Sequence, residues 1–281
     1  MYTIHELRPA HMAALYELYR AQTDGLPHCL VPSAARFAAD LTRPEAGRVL
    51  VAAVDDTAHG FAALRQVTDD EEVTSDSITA LFFRDAAAGA ALVAACVARA
   101  RPGGMLAYAQ AHSNGPLLAY NAGWDGLSDR LAAQVQLLVK HGFVPYYREL
   151  LLTCDLQTPF ETPEIEGIRL SANRNDEGNY LQRGWIGEDR IGLCIYSTIE
   201  ALADDPRAAR IGYIHWLWSA EQVRRRGLAR ALLLRALEHL RTLGCEHCWL
   251  GTGAANWSAQ GLYLGLGFRV VDGTVSFRRP A

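Results

Sequence analysis

The sequence predicts an α/β (α+β) chain of two tandem domains, each a mixed, largely antiparallel sheet flanked by helices. Three observations carry this. The length, 281 residues, suits two domains of ordinary size better than one. Residues 155–166 are polar, hold Pro159 and Pro163, show neither a strand nor a helix period, and read as a linker. The segments on either side, residues 1–154 and 167–281, read as a similar succession of strands and helices.

In the first segment, Ala10–Arg20 reads as a helix with Met12, Leu15, Leu18 and Tyr19 on one face. Ser33 offers an N-cap for a second helix through Leu41. Arg48–Val54 and Gly60–Gln66 read as a strand and its return around the turn Asp55–His59. An acidic stretch, Thr68–Asp76, leads to the strand Ser77–Phe83, an alanine-rich helix Ala86–Arg101 and the strand Met105–Gln110. A loop, a long helix Leu127–Lys140, Gly142-Phe143 and the strand Tyr147–Thr153 complete this half.

The second segment opens with the strand Gly167–Ala172 and a hairpin, Tyr180–Ile186 with Ile191–Ile199. A strand Arg210–Trp218 runs into a helix Gly227–Leu243, whose apolar face holds Leu228, Leu232, Ala236, Leu237 and Leu240. Gly244 ends it as a C′ residue. The strand His247–Thr252, a helix Ser258–Leu264 and a strand near Val275–Arg278 follow.

Composition excludes several function classes. The net charge of -4 gives no ground for nucleic-acid binding. No run of about eighteen apolar residues indicates a membrane span. The first ten residues lack the apolar core of a signal peptide, and six scattered cysteines suit reduced thiols, so a cytoplasmic location is expected. Cys245 and Cys248 form a lone C-x-x-C pair around His247, and no metal is expected without a second pair.

The chemistry concentrates at Trp218–Ala231. There a strand enters a helix through Arg224-Arg225-Arg226-Gly227-Leu228-Ala229, an R-x-x-G-x-A turn. The first amides of a helix have no carbonyl partner and bind anionic oxygens; Gly227 admits a phosphate close to the backbone, and three arginines add positive charge. Twenty-nine residues after Gly227 begins Asn256-Trp-Ser-Ala259-Gln-Gly-Leu-Tyr263-Leu-Gly-Leu-Gly267-Phe268. With both stretches in place, the second segment resembles the GNAT superfamily of N-acetyltransferases. The first stretch looks like its pyrophosphate-binding motif, the second like its N-x-x-A-x-x-x-Y-x-x-x-G-F helix. Glu221-Gln-Val-Arg224 is also similar to the histone acetyltransferases of that superfamily.

The resemblance implies that acetyl-CoA binds as co-substrate. Exposed peptide groups of Leu217, Trp218 and Ser219 would pair with the pantetheine arm. The turn Gln222, Val223, Arg224, Arg225, Arg226, Gly227, Leu228 and Ala229 would hold the diphosphate, with Asn256 and Ala259 on the other side of the arm. Tyr263 falls on the family's general-acid tyrosine. His215, on the strand and on one face with Tyr213 and Leu217 by alternation, is the candidate general base, with water relayed through a carbonyl as the competitor. The expected partner is a small-molecule amine acceptor, with the chain a monomer or homodimer. A protein or peptide acetyltransferase, or a CoA-binding sensor without turnover, are the other readings. Gly142-Phe143 aligns with Gly267-Phe268, putting Leu131, Gln134 and Leu138 where the motif has Asn256, Ala259 and Tyr263. The first domain therefore reads as a degenerate copy.

Overall fold

A computed structural model of the chain describes residues 1–68, 74–101, 104–109, 117, 120, 126–202 and 204–280. Asp69–Glu72 of the acidic stretch, and Gln110 at the end of an expected strand, lie outside the described residues. The chain divides into two compact units. Unit 1 comprises Met1–Glu149, Leu202–Asp205 and Asp272–Ala281; unit 2 comprises Leu150–Ala201 and Pro206–Val271.

Unit 1 begins with β1 (Thr3–Glu6), which sequence periodicity does not reveal and which pairs antiparallel with β2 (Arg48–Val54). Between them lie α1 (Met12–Thr23) and α2 (Ala34–Thr42), the latter capped as expected, with Ser33 Oγ accepting the Arg36 amide at 3.2 Å. β2 returns into β3 (Thr57–Thr68) through Asp55-Asp56, both at positive φ, and β3 pairs antiparallel with β4 (Thr74–Phe83). α3 (Ala86–Arg99) then crosses to β5 (Met105–Ala107), which lies parallel to β4.

The expected helix from Leu127 is shorter than its pattern. Leu127 and Ser128 form a strand, β6, and the helix α4 spans Ala132–Lys140. A long-range pairing overrides local propensity here: the buried Ser128 hydroxyl donates to Asp272 at 2.5 Å, and the Asp129 amide donates to the Gly273 carbonyl at 2.9 Å. β7 (Val144–Asp155) runs from unit 1 into unit 2. An aromatic cluster of Tyr19, Phe37, Phe61 and Phe82, with ring centroids 5.2–5.9 Å apart, centres the unit 1 core.

Unit 2 orders its strands β7-β12-β11-β10-β9-β8: β8 (Arg169–Arg174), β9 (Tyr180–Ile186), β10 (Asp189–Thr198), β11 (Ile211–Ser219) and β12 (His247–Gly253). β8 to β11 are antiparallel neighbours, whereas β11 and β12 are parallel, joined by α5 (Leu228–Thr242). α5 lies close on one face of this sheet. A Cβ on Gly192 or Gly212 would meet Leu232 or Leu240 side chains at 2.8 or 2.5 Å, so those glycines set the approach. α6 (Trp257–Leu264) follows β12. The last strand, β13 (Arg269–Arg279), passes into unit 1 at Asp272, where Phe277 pairs with Ala107 of β5 and Val275 with Leu127 of β6. Among the described residues each unit thus shows a parallel strand pair, β4·β5 and β11·β12, each preceded by antiparallel strands and bridged by a helix.

Candidate active site

β11 and β12 pair only from Ile211↔His247 to Ile214↔Leu250. β11 continues to Ser219 and β12 to Gly253 beyond that last pair, so the two strands part and leave a slot in the sheet at their C-terminal ends. On its other side β11 stays hydrogen-bonded to β10 throughout. Leu217, Trp218 and Ser219 border the slot.

The register of β11 against β10 slips at one position. Ile195 opposes Trp216 while Tyr196 opposes Ile214, which makes His215 the extra residue of a β-bulge. The bulge changes which side chains share a face. Leu217 opposite Cys194 packs with the core beneath α5, whereas His215 joins Tyr213 and Ser197 on the opposite face. The alternation that put Leu217 beside His215 therefore fails, because a bulge advances the strand by one residue. His215 Nε2 lies 2.7 Å from Ser197 Oγ and its ring centroid 5.1 Å from that of Tyr213. Burial lowers its pKa to about 4, so the imidazole is neutral at pH 7.

Beyond β11, Glu221–Val223 form a single 3-10 turn and Gly227 caps α5 at φ 87°, ψ 0°. Arg225 also has positive φ. The first bond of the helix ladder runs from the Ala231 amide to the Gly227 carbonyl at 2.9 Å, which leaves the Leu228, Ala229 and Arg230 amides without intrahelical acceptors. Nothing lies within 4 Å of where a Cβ on Gly227 would stand. That space, flanked by the arginines, fits an anionic phosphate on the helix end. Val223 and Leu228 are buried in the core, so only their backbone can face a ligand. Arg224 pairs loosely with Glu221 (3.9 Å), and Arg226 donates to the Glu166 carbonyl at 3.2 Å.

On α6, Asn256 is the N-cap, its Oδ1 accepting the Ala259 amide at 3.2 Å. Tyr263 is 7% exposed, packs on Phe268, and lies in the core that includes Cys194 and Cys248. Burial raises its phenol pKa above the ordinary value, keeping the proton on. The Phe268 amide then returns to the Tyr263 carbonyl at 3.1 Å through Gly267 at φ 88°. α4 repeats this geometry. Leu131 is its N-cap, Gly142 has φ 82°, and the Phe143 amide bonds the Leu138 carbonyl at 3.1 Å. The alignment of Leu131, Gln134 and Leu138 with Asn256, Ala259 and Tyr263 is therefore structural as well as sequential.

In unit 1 the chain's own side chains occupy the equivalent groups. Asp85 caps α3 and accepts the Ala87 and Ala88 amides, both at 3.0 Å, where unit 2 leaves amides open. At the end of β4, Gln22 donates to the Phe83 carbonyl at 2.7 Å and is bound in turn by Gln134 at 2.6 Å. A carboxylate on the helix end repels a diphosphate and takes its donors.

Outside the slot, Cys245 and Cys248 are buried thiols with raised pKa, and His247 bonds Asp155 at 2.9 Å. Asp76, at the end of the acidic stretch, is buried, accepting the Arg101 amide at 2.7 Å. Among the described residues no His, Cys, Asp and Glu cluster could hold a metal, and no helix is long and apolar enough to cross a membrane. Sequence reasoning missed Ser197 and Trp216, and took Trp218 for its peptide groups alone; only the register of the strands brings these side chains to the site.

Residues 143–268 match the model of the acetyltransferase (GNAT) family. No curated protein matches the chain in sequence. In structure it resembles the GCN5-related glucosamine N-acetyltransferase region of a fungal multi-domain GH3 β-N-acetylglucosaminidase, with TM-score 0.73 and 14% identity over 99% of this chain. The chain spans 38% of that protein's length. A GCN5-related N-acetyltransferase from Sphaerobacter thermophilus gives TM-score 0.66 and 15% identity, covering 99% of this chain and 95% of its own. A tandem GNAT protein from the clavulanic acid biosynthesis pathway gives 0.65 and 12%, covering 100% and 98%. At these identities the likeness is one of fold, and it extends over both units. Residues 143–268 thus belong to the GNAT acetyltransferase family, whose members are usually acyl-CoA-dependent N-acyltransferases, and the chain as a whole has the fold seen in a tandem GNAT protein.

Proposed function

We propose that the chain moves the acetyl group of acetyl-CoA to a primary amine of a small molecule, by direct attack in a ternary complex. One observation carries the reading: the slot between β11 and β12 leads directly to the open amides of α5. A thioester on a long polar arm with a diphosphate at its end suits that pair of features. Leu217, Trp218 and Ser219 offer strand edge to the arm, and the turn from Gln222 to Ala229 offers amides and arginines to the diphosphate. Asn256 and Ala259 stand at the start of α6.

The acceptor nitrogen attacks the acetyl carbon; the C–N bond forms as the C–S bond breaks. His215, neutral at pH 7, accepts the amine proton, directly or through water. A strand amide near Trp218 donates to the oxyanion, and Tyr263, held protonated, supplies the proton to the departing thiolate. A slot through a sheet is open to both faces, so Tyr263 on the helix side and His215 on the other can serve one reacting centre. Incubating the chain with acetyl-CoA and a panel of small primary amines should release free thiol in an amine-dependent way. CoA binding without amine-dependent thiol release would favour a sensor without turnover.

A further inference from the structure

The bulge at His215 gathers aromatic side chains on the sheet face opposite α5. After it, Trp216 and Trp218 point away from the core and are 52% and 39% exposed. Their cross-strand neighbours are the half-buried Ile195 and Leu193. Trp249 is paired with Tyr213 across β11·β12, and Trp185 lies on the same face of β9, opposite the side where Gly184 approaches Leu228. Four of the chain's six tryptophans thus share this face of unit 2, with Trp216 and Trp218 beside the slot.

Within unit 2, no helix joins β8 to β9 on this side: the connection is a tight turn, with the Asn175 amide on the Asn179 carbonyl at 2.9 Å. The turn is too short to fold back over the sheet, so Trp216 and Trp218 stay open to solvent. Charge on the face comes from β8, β9 and the start of β10: Arg169 stands over the Trp185 ring at 5.4 Å, Arg183 bonds Asn173, and Arg190 lies opposite Trp185. The β10 and β11 positions nearest the slot (Leu193, Ile195, Ser197, His215, Trp216, Trp218) carry no carboxylate.

We propose that this aromatic face is the acceptor floor, and that it selects primary amines borne on an aromatic ring over aliphatic amines and polyamines. The inference rests on the acetyltransfer reading above. Indole faces stack flat rings and attract a cation weakly through the ring quadrupole, so the acceptor's ring supplies the binding. The arginines on the same face repel a second positive charge.

The test uses the full chain with acetyl-CoA and three probes: 2-phenylethylamine, hexylamine and spermidine. Phenylethylamine should exceed hexylamine in kcat/KM by about tenfold or more, as expected where ring stacking supplies the discrimination, and spermidine should be the poorest. Trp216→Ala should raise KM for phenylethylamine by about tenfold with hexylamine within about twofold, and CoA affinity by calorimetry should not move. Equal efficiencies for all three amines, or a spermidine preference, overturn the inference and leave acetyl transfer standing. If no probe yields thiol, titrating phenylethylamine into the CoA-bound chain and following tryptophan fluorescence decides it. Saturable quenching that Trp216→Ala abolishes supports the floor; its absence overturns it.

Discussion

Tyr263 and His215 lie on opposite sides of one sheet, and burial shifts both pKa values in the directions that the proposed roles require. A buried phenol stays protonated well into alkaline pH, so Tyr263 should produce no alkaline loss of rate below about pH 10. Tyr263→Phe keeps the ring against Phe268 and removes only the hydroxyl. It should lower kcat by about 10- to 1000-fold with CoA affinity unchanged in calorimetry; full activity across pH would show that the phenol does no chemistry. For His215 the expectation concerns where the acid limb lies. Its conjugate acid forms only near pH 4, so at saturating amine the acid limb of kcat that it sets should lie near that pH and vanish in His215→Gln. An unshifted limb with normal turnover in that variant would assign the proton to water. The same burial affects stability. On acidification the unfolded chain protonates this histidine from about pH 6.5, the folded chain only near 4. Stability is therefore lost between those values, by on the order of 3 kcal/mol, and His215→Gln should flatten that slope in denaturant titrations.

At the scale of the element, two helix N-termini differ in whether their first amides stay open or are taken by a side chain. α5 starts at a glycine with positive φ and no capping side chain; α3 starts at Asp85, whose carboxylate binds the amides itself. Gly227→Ala has room for its Cβ, but alanine at φ 87° costs about 1 kcal/mol, seen as a lowered Tm of a few degrees. Gly227→Glu adds a carboxylate at the anion's place and should abolish measurable CoA binding while circular dichroism stays native. Unchanged affinity in calorimetry would remove the α5 turn from the cofactor site. The motif spacing announced this helix start and its glycine. It could not announce that Gln22 and Gln134 tie the end of β4 in the first unit, because those residues are 112 positions apart.

At the scale of the molecule, the last strand matters most to the first unit. Val275 and Phe277 are buried in the unit 1 core, and β13 pairs there with β5 and β6. Phe277→Ala should cost about 3–5 kcal/mol by leaving a cavity at a fully buried ring. Hydrogen exchange should locate the damage: protection should fall at Met105–Ala107 and Leu127–Ser128, while α5 and β9–β10 keep theirs. Loss confined to α5 and α6 would contradict this division of the chain.

By itself the sequence determined what local physics controls. Apolar periodicity gave α5 and its buried face, Ser33 gave the start of α2, and glycine spacing gave the turn at Gly227. These signals act over one or two helical turns, and tertiary context did not reverse them. Three features belong to the tertiary structure alone. Leu127-Ser128 became a strand because Thr274 and Val275 offered it a partner some 147 residues away. His215 and Leu217 parted faces because β10 accepts an extra residue in its neighbour, and no alternation within β11 records the length of the strand beside it. Tryptophans scattered along three strands became one surface because pairing, which depends on sequences far apart, sets the register.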